Sequence, residues 1–393
     1  MIVCSRIMID CCIIGGGIIG LSIARELASR GLSVRVLSRD PPRETTSWAA
    51  AGIFPPAPRH AGETPNERLT SWSDRLHHDW SRELRDETGI DNGLFSCGGL
   101  YVAIDGVLMQ RLLHAAEEWR NKGARCEVLD VAGVAAREPG LRGAGDRGTI
   151  VGGYFLPEES QIRPPRHLAA LAESCRRRGV EISSGVVVQS VDLHGGGIAS
   201  VDAMHLGGGR ETVRAGAFCL AAGAWSGPLA RSFGLTVETR PVRGQIALYR
   251  FPKPPLQRVV NNGLEYLVPR QDGRLLVGST LEDAGYDAGT TQEAVERLRN
   301  VATSLLGDLA EATLERAWAG LRPGSMDGLP SIGRVPDLRN AFIAAGHFRA
   351  GWHQSTGTAV LIADLITNRP PQIDVAAFAP NRPRTTRDPL MPR

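Results

Sequence analysis

Several features that would send this chain outside the cell, into a membrane or onto a nucleic acid are missing. The seven cysteines (Cys4, Cys11, Cys12, Cys97, Cys126, Cys175 and Cys219) are odd in number and include no CxxC pair. Neither a disulfide framework nor a zinc site is expected, and reduced thiols suit a cytoplasmic protein. Forty-five Lys and Arg against 42 Asp and Glu leave a net charge of +3. These charges are scattered, so no electrostatic case exists for nucleic acid or a membrane surface. The apolar N-terminal run from Ile7 to Leu21 is interrupted by glycines and followed by Arg25, Glu26 and Arg30, so neither a signal peptide nor a membrane span is expected. No repeat of about 20 to 50 residues recurs. No GxSxG occurs either, because "GAWSG" carries its serine one place late for a hydrolase elbow. The Pro- and Arg-rich end, residues 379–393, is expected to form a loose tail. His77, His78 and Asp79 stand in a polar helical stretch and are expected on a solvated face rather than at a metal.

Length and local pattern supply the positive signal. A chain of 393 residues suggests two domains or one large one. "DCCIIGGGIIGLSIARELASRGLSVRVLSRD" predicts a buried strand, a glycine turn, a helix through Ile19, Ile23, Leu27 and Ala28, and a second strand. Gly15, Gly17 and Gly20 fit GxGxxG in the context that motif needs, after a strand and opening a helix. Such glycines let a pyrophosphate approach backbone amides at the positive end of the helix. The second strand of such a unit usually ends on an acid that holds a ribose, and here Ser38 and Arg39 take that place. On these residues alone FAD and NADP stay open, since Ser38 and Arg39 could suit a 2′-phosphate.

A helix is predicted over 166–178, followed by a small meander that returns to the buried strand before "CLAAGAWSG". A further strand over 341–345 leads through a glycine turn to a helix from about Ser355, and "EYLVPRQDGRLLVGST" predicts a hairpin turning at Asp272 and Gly273. The glycine runs 195–197 and 207–209 read as turns between strands.

The ordered segments "IIGGGIIG", "TTSWAAAGI", "CLAAGAWSG", "RPVRGQ", "YLVPRQDGRLLVGST", "AWAGLRPGSMDGLPSIG" and "GHFRAGW" span nearly the whole chain. Together they resemble the FAD-dependent amine oxidases of the D-amino acid oxidase superfamily, and the glycine oxidases of the thiamine pathway in particular. The resemblance implies an α/β fold: a discontinuous Rossmann-like FAD-binding domain (1–55, 160–237, 316–378) and an α+β substrate-binding domain with an antiparallel sheet (56–159, 238–315). It implies oxidative deamination of a small amino acid by hydride transfer to flavin N5, giving a 2-oxo acid, ammonia and peroxide. It implies oxygen as the acceptor and leaves homo-oligomerisation open.

Position by position, the resemblance places Gly15, Gly17, Ile18, Ile19 and Gly20 at the pyrophosphate and Ser38 and Arg39 at the adenosine ribose. Thr45, Thr46, Ala51, Gly52 and Ile53 would line the flavin and its phosphate chain. Val188 would meet adenine through its backbone, and His347, Phe348, Arg349, Ala350, Gly351, Trp352 and His353 would pass along the isoalloxazine. Arg322 matches the arginine that binds the substrate carboxylate and Tyr266 a tyrosine that helps hold it, while Arg349 would contact substrate or flavin, or merely pair with a carboxylate. No cysteine stands in the C-terminal flavin turn where sarcosine oxidases attach FAD, which implies noncovalent FAD.

Two departures from the glycine oxidase pattern stand out: Ser38 for the ribose-binding glutamate, and "WHQST" at 352–356, where Trp352 and His353 would alter bulk and polarity beside the ring. A dehydrogenase of the same fold serving a quinone, an NADP-dependent Rossmann enzyme and a noncatalytic flavoprotein subunit are the competing readings.

Overall fold

The structure is a computed structural model that describes residues 9–41, 45–59, 64–307 and 309–384. Cys4 lies outside them. A six-stranded sheet runs in the order Ser331–Arg334, Ala341–Ala345, Ala215–Leu220, Ile9–Ile14, Val34–Ser38, Glu181–Ser184. All neighbours are parallel except the first pair. Its central strands "AFCL", "CCII" and "AFIAA" are buried on both faces, which is why they read as continuous apolar runs rather than alternating ones. The helices Ile18–Ser29, Pro65–Thr88, Pro164–Arg177 and Ser355–Ile366 cover one face. A three-stranded meander, Val186–His194, Gly197–His205 and Arg210–Val213, covers the other.

A second, eight-stranded sheet runs Thr313–Ser325, Thr239–Arg250, Arg274–Gly278, Glu265–Pro269, Val259–Asn262, Gly99–Ala103, Gly152–Leu156, Glu127–Leu129. It is antiparallel apart from the pairing of Val259–Asn262 with Gly99–Ala103. One row crosses seven of its strands through Tyr154, Tyr101, Asn261, Tyr266, Gly278, Ile246 and Trp318. Residues paired in one row point to one face, so the row brings positions 101, 154, 261 and 266 to a common surface. The helix Gln292–Leu306 packs into the core of the opposite face.

The segment expected to enter the nucleotide unit at 316 does so only at Ser331–Arg334; residues 316–325 finish the strand paired with Thr239–Arg250. The hairpin turns at Gly273 as expected, with φ +83° there and Arg270 N–H donating to Arg274 O at 2.7 Å.

Two further expectations need correction. His77 is buried, 1% exposed, while His78 and Asp79 are exposed. Leu69, Ser73, His77, Trp80 and Leu84 recur at three- and four-residue steps along Pro65–Thr88, so position 77 falls on the stripe that faces the core. The tail is not loose up to 384: Arg382 forms a buried ion pair with Asp327 at 2.8 Å, and Arg384 donates to Ser331 Oγ at 2.9 Å. Residues 385–393 lie outside the described residues. Among the described residues no helix is long and apolar enough to cross a membrane, and no cluster could hold a metal.

Burial pushes His77 and His167 down to about 3, and each keeps one ring nitrogen without a partner. The unfolded chain therefore takes up protons below about 6.5 that the folded chain refuses. Stability is expected to be level above that pH and to fall as pH drops towards 3. Thermal melts between pH 8 and 4 check this, and a His77→Gln variant should show a shallower acid decline.

Candidate active site

A single cavity of about 690 Å³ runs from the glycine turn at the end of the first strand to the face of the eight-stranded sheet. At its near end Gly15 has φ +125°, and a Cβ there would stand 2.2 Å from Ala221 O. The helix Ile18–Ser29 starts at Gly17 with no side-chain cap and no acid in its first turn. Ile18 N–H donates to Ser47 Oγ at 2.9 Å. With Ile18 N–H taken by Ser47 but no side chain on its own N-cap residue, a helix end beside bare backbone suits a pyrophosphate. Gly20 does not line the cavity; a Cβ there would stand 1.9 Å from Gly15 O, so it serves the close packing of turn on helix.

Ser38 and Arg39 both line the cavity. Ser38 Oγ donates to Asp40 O at 2.6 Å, which leaves its lone pairs for an incoming hydroxyl. The Arg39 guanidinium pairs with both oxygens of Asp40 and lies 3.9 Å from the Trp225 ring centroid. The cation that a 2′-phosphate would need is thus already engaged. Val188 lines the same region.

Thr45, Thr46, Ala51, Gly52 and Ile53 line the middle. Their segment is held from several sides. Thr46 Oγ1 exchanges hydrogen bonds with Leu321, Trp352 Nε1 donates to Ser47 O at 3.0 Å, and Trp318 Nε1 donates to Ala49 O at 3.0 Å. Along the opposite wall come His347, Phe348, Arg349, Gly351 and Trp352. His347 Nε2 meets Thr358 Oγ1 at 3.0 Å, and burial pushes its imidazole down to about 3, so it is neutral. Phe348 holds φ +48° and donates its N–H to Pro323 O at 2.9 Å. Ala350 and His353 do not line the cavity. His353 turns into the core, stacked on Phe54 at 4.7 Å and bonded to Asp74 at 2.8 Å. The expected change of polarity beside the ring therefore does not come from His353. Trp352 is a wall residue fixed from behind by Ser47 and by edge contact with His167 at 5.4 Å.

At the far end Arg322 Nη2 donates to Ser279 Oγ at 2.7 Å and Nη1 to Thr280 O at 3.2 Å. No carboxylate lies in ion-pair reach among the described residues, and burial lowers its pKa, with Tyr266 opposing and Arg349 adding to the effect. A desolvated guanidinium with neutral partners has unused capacity for a planar anion. Two glycines make the geometry possible. A Cβ on Gly244 would stand 2.1 Å from Arg322 Nη1, and one on Gly278 would stand 2.8 Å from Tyr266 Oη. Arg349 is exposed and lines the cavity near Arg322.

Sequence reasoning passed over three residues here. Tyr101 and Asn261 line the cavity beside Tyr266. Arg270, inside a quoted segment but given no role there, is buried at 7% exposure. Only strand register would have revealed the first two.

Residues 10–365 match the family of FAD dependent oxidoreductases, DAO. The glycine oxidase of Pseudomonas aeruginosa is 34% identical over 370 residues, 94% of this chain and 97% of that protein. The bifunctional protein ThiO/ThiG of Synechocystis is 33% identical over 97% of this chain and 55% of that protein. The crystal structure of glycine oxidase from Geobacillus kaustophilus superposes with a TM-score of 0.88 at 31% identity, covering 96% of this chain and 99% of that one. The residues present fit FAD: a glycine cradle that any Cβ would fill, an uncapped helix end, and one continuous cavity from there to the desolvated arginine.

Two variants test these placements. Gly244→Ala is expected to displace the Arg322 guanidinium and weaken acetate binding by about 10²-fold, the scale of a misplacement of about 1 Å, with the flavin spectrum intact. Ser38→Glu offers a charged acceptor at the ribose and is expected to tighten FAD retention by about tenfold. Titration of apoprotein with FAD reads this out, and equal affinity would remove Ser38 from the ribose contact.

Proposed function

This chain belongs to the DAO family of FAD-dependent oxidoreductases, and from that premise we propose that it oxidatively deaminates glycine or a similarly small amine such as sarcosine or a D-amino acid, with oxygen as acceptor. One observation carries the reading: Arg322, a desolvated guanidinium bound only to neutral oxygens, stands at the far end of the cavity that begins at the glycine turn. FAD, when bound, would supply the two-electron acceptor, reoxidised by oxygen.

The chain's own residues supply position. Arg322 grips the substrate carboxylate through two parallel N–H donors, and Tyr266, whose ring lies over Gly278, donates its hydroxyl to the same group. With the carboxylate fixed, the α carbon is held at one distance from the wall formed by Gly351 and Trp352. Buried side chains around the site, Ile246 and Tyr266 among them, exclude water and strengthen the ion pair. Gly15 and Gly17 with the Ile18–Ser29 helix end hold the pyrophosphate, Ser38 the ribose, and Val188 the adenine. His347, neutral at working pH, adds no competing charge beside the ring.

Engagement of Arg39 by Asp40 and Trp225 weighs against the NADP reading. The likeness to glycine oxidases over nearly the full chain and to ThiO/ThiG supports glycine as substrate and a place in thiamine biosynthesis. A cytoplasmic site of action belongs to the same proposal.

Purified protein is expected to show an oxidised-flavin spectrum and to release peroxide with glycine, sarcosine or D-alanine. Arg322→Ala should keep FAD and raise KM by about 10²-fold or more, the cost of removing one partner from a buried charge pair. Turnover with a quinone or dye but not with oxygen would instead mark a dehydrogenase, and unchanged turnover in Arg322→Ala would remove the site assignment.

A further inference from the structure

Carboxylate binding leaves one buried acid at the far end of the cavity without a task. Glu159 is fully buried and has no cation in ion-pair reach among the described residues. Its Oε2 accepts from Tyr101 Oη at 2.7 Å and its Oε1 from Asn261 Nδ2 at 3.2 Å. A Cβ on Gly99 would stand 2.3 Å from the Glu159 carboxyl carbon, so the acid sits tightly under the strand that carries Tyr101. Tyr101 and Asn261 face each other across neighbouring strands, Asn261 also pairs with Tyr266, and all three line the cavity.

A carboxylate accepts hydrogen bonds and cannot donate them. It therefore commits the single proton of Tyr101 and an amide proton of Asn261 to itself. What remains for other partners is the lone pairs of Tyr101 Oη, Asn261 Oδ1 and the second amide N–H of Asn261. Two acceptors thus stand in the row next to Tyr266, and Tyr266 in turn interacts with Arg322. An amino acid held on Arg322 presents N–H donors a short distance from its carboxylate, and this wall complements them.

We propose that Glu159, acting through Tyr101 and Asn261, fixes the hydrogen-bond polarity of the cavity wall so that it accepts from the amine of the substrate. Glu159 is then a positioning residue, and Tyr101 and Asn261 bind the amine. The proposal rests on the reading of Arg322 as the carboxylate site.

Burial pushes Glu159 up to about 7, against the pull of its two hydrogen bonds. Tyr101, Tyr154, Cys97 and Arg349 are the other titratable or charged groups that face the pair. Burial raises the Tyr101 and Tyr154 phenols well above their ordinary range and Cys97 to about 11, so none of these three ionises near neutrality. Above about pH 7 the wall accepts. As pH falls through that value, protonated Glu159 becomes a donor, frees the Tyr101 proton towards the cavity and turns the wall against an amine.

The test compares glycine with acetate, which has the carboxylate but no amine, on the FAD-loaded enzyme. For wild type, the KM for glycine is expected to rise up to about tenfold per pH unit below 7, while the acetate Kd changes much less. Glu159→Gln should raise the KM for glycine by about tenfold or more, lose the step near pH 7 and keep its acetate Kd within about twofold, with kcat changed less than KM. Tyr101→Phe, which keeps the ring stacked on Tyr154, should raise the KM for glycine without affecting acetate. Retention of the wild-type KM and pH step in Glu159→Gln would overturn the proposal, and so would an equal loss of glycine and acetate affinity in both variants. Acetate binding that survives Arg322→Ala unchanged would instead remove the carboxylate site beneath it, a separate failure.

Discussion

The geometry of the cavity depends on one buried guanidinium. Arg270, 7% exposed, donates to Gln161 Oε1 at 2.7 Å, Ile162 O at 3.1 Å and Ala51 O at 2.6 Å. These acceptors belong to two distant stretches of chain, and the arginine itself comes from the hairpin of the eight-stranded sheet. It therefore fixes that sheet against the segment that lines the middle of the cavity. None of its partners is a carboxylate. Burial lowers its pKa to about 10, which still leaves it charged at neutral pH. Three neutral acceptors offset its desolvation, and without the guanidinium they would be buried polar groups in need of other partners. Trp318 from the eight-stranded sheet and Trp352 from the turn before the helix Ser355–Ile366, donating to Ala49 O and Ser47 O, complete the clamp on residues 47–51.

This arrangement explains what could be read from the sequence and what could not. The glycine turn, the strand at 341–345, the helix from Ser355 and the hairpin at Gly273 are set by neighbours in sequence, and local pattern reports them. Arg322 and Tyr266 were legible through resemblance, but the space they occupy was not. It is made by Gly244 and Gly278, which carry no signal of their own until strand pairing sets them beneath those side chains. His77 and His353 read as polar residues of a helix and a turn. Tertiary packing puts one on the apolar stripe of Pro65–Thr88 and stacks the other on Phe54, where a resemblance to flavin-lining positions would not have sent it. The contact of Tyr101, Glu159 and Asn261 joins three regions more than 50 positions apart and exists only through the register of the sheet.

Charge is segregated along the cavity. Arg39 and Asp40 neutralise each other at the ribose end, while among the described residues Arg322 has no carboxylate and Glu159 no cation in ion-pair reach. Buried unpaired charges are costly, and adjacent opposite charges would have relieved both at once. The row through Tyr101, Asn261 and Tyr266 prevents that by interposing neutral hydrogen-bonding side chains between the acid and the guanidinium. A small zwitterion relieves both ends together: its carboxylate meets Arg322, and its N–H donors meet the oxygens that Glu159 has oriented. Selectivity for an amino acid over a simple carboxylate then follows from keeping the two protein charges apart, since a direct Arg322–Glu159 pair would leave the ligand only neutral contacts to gain.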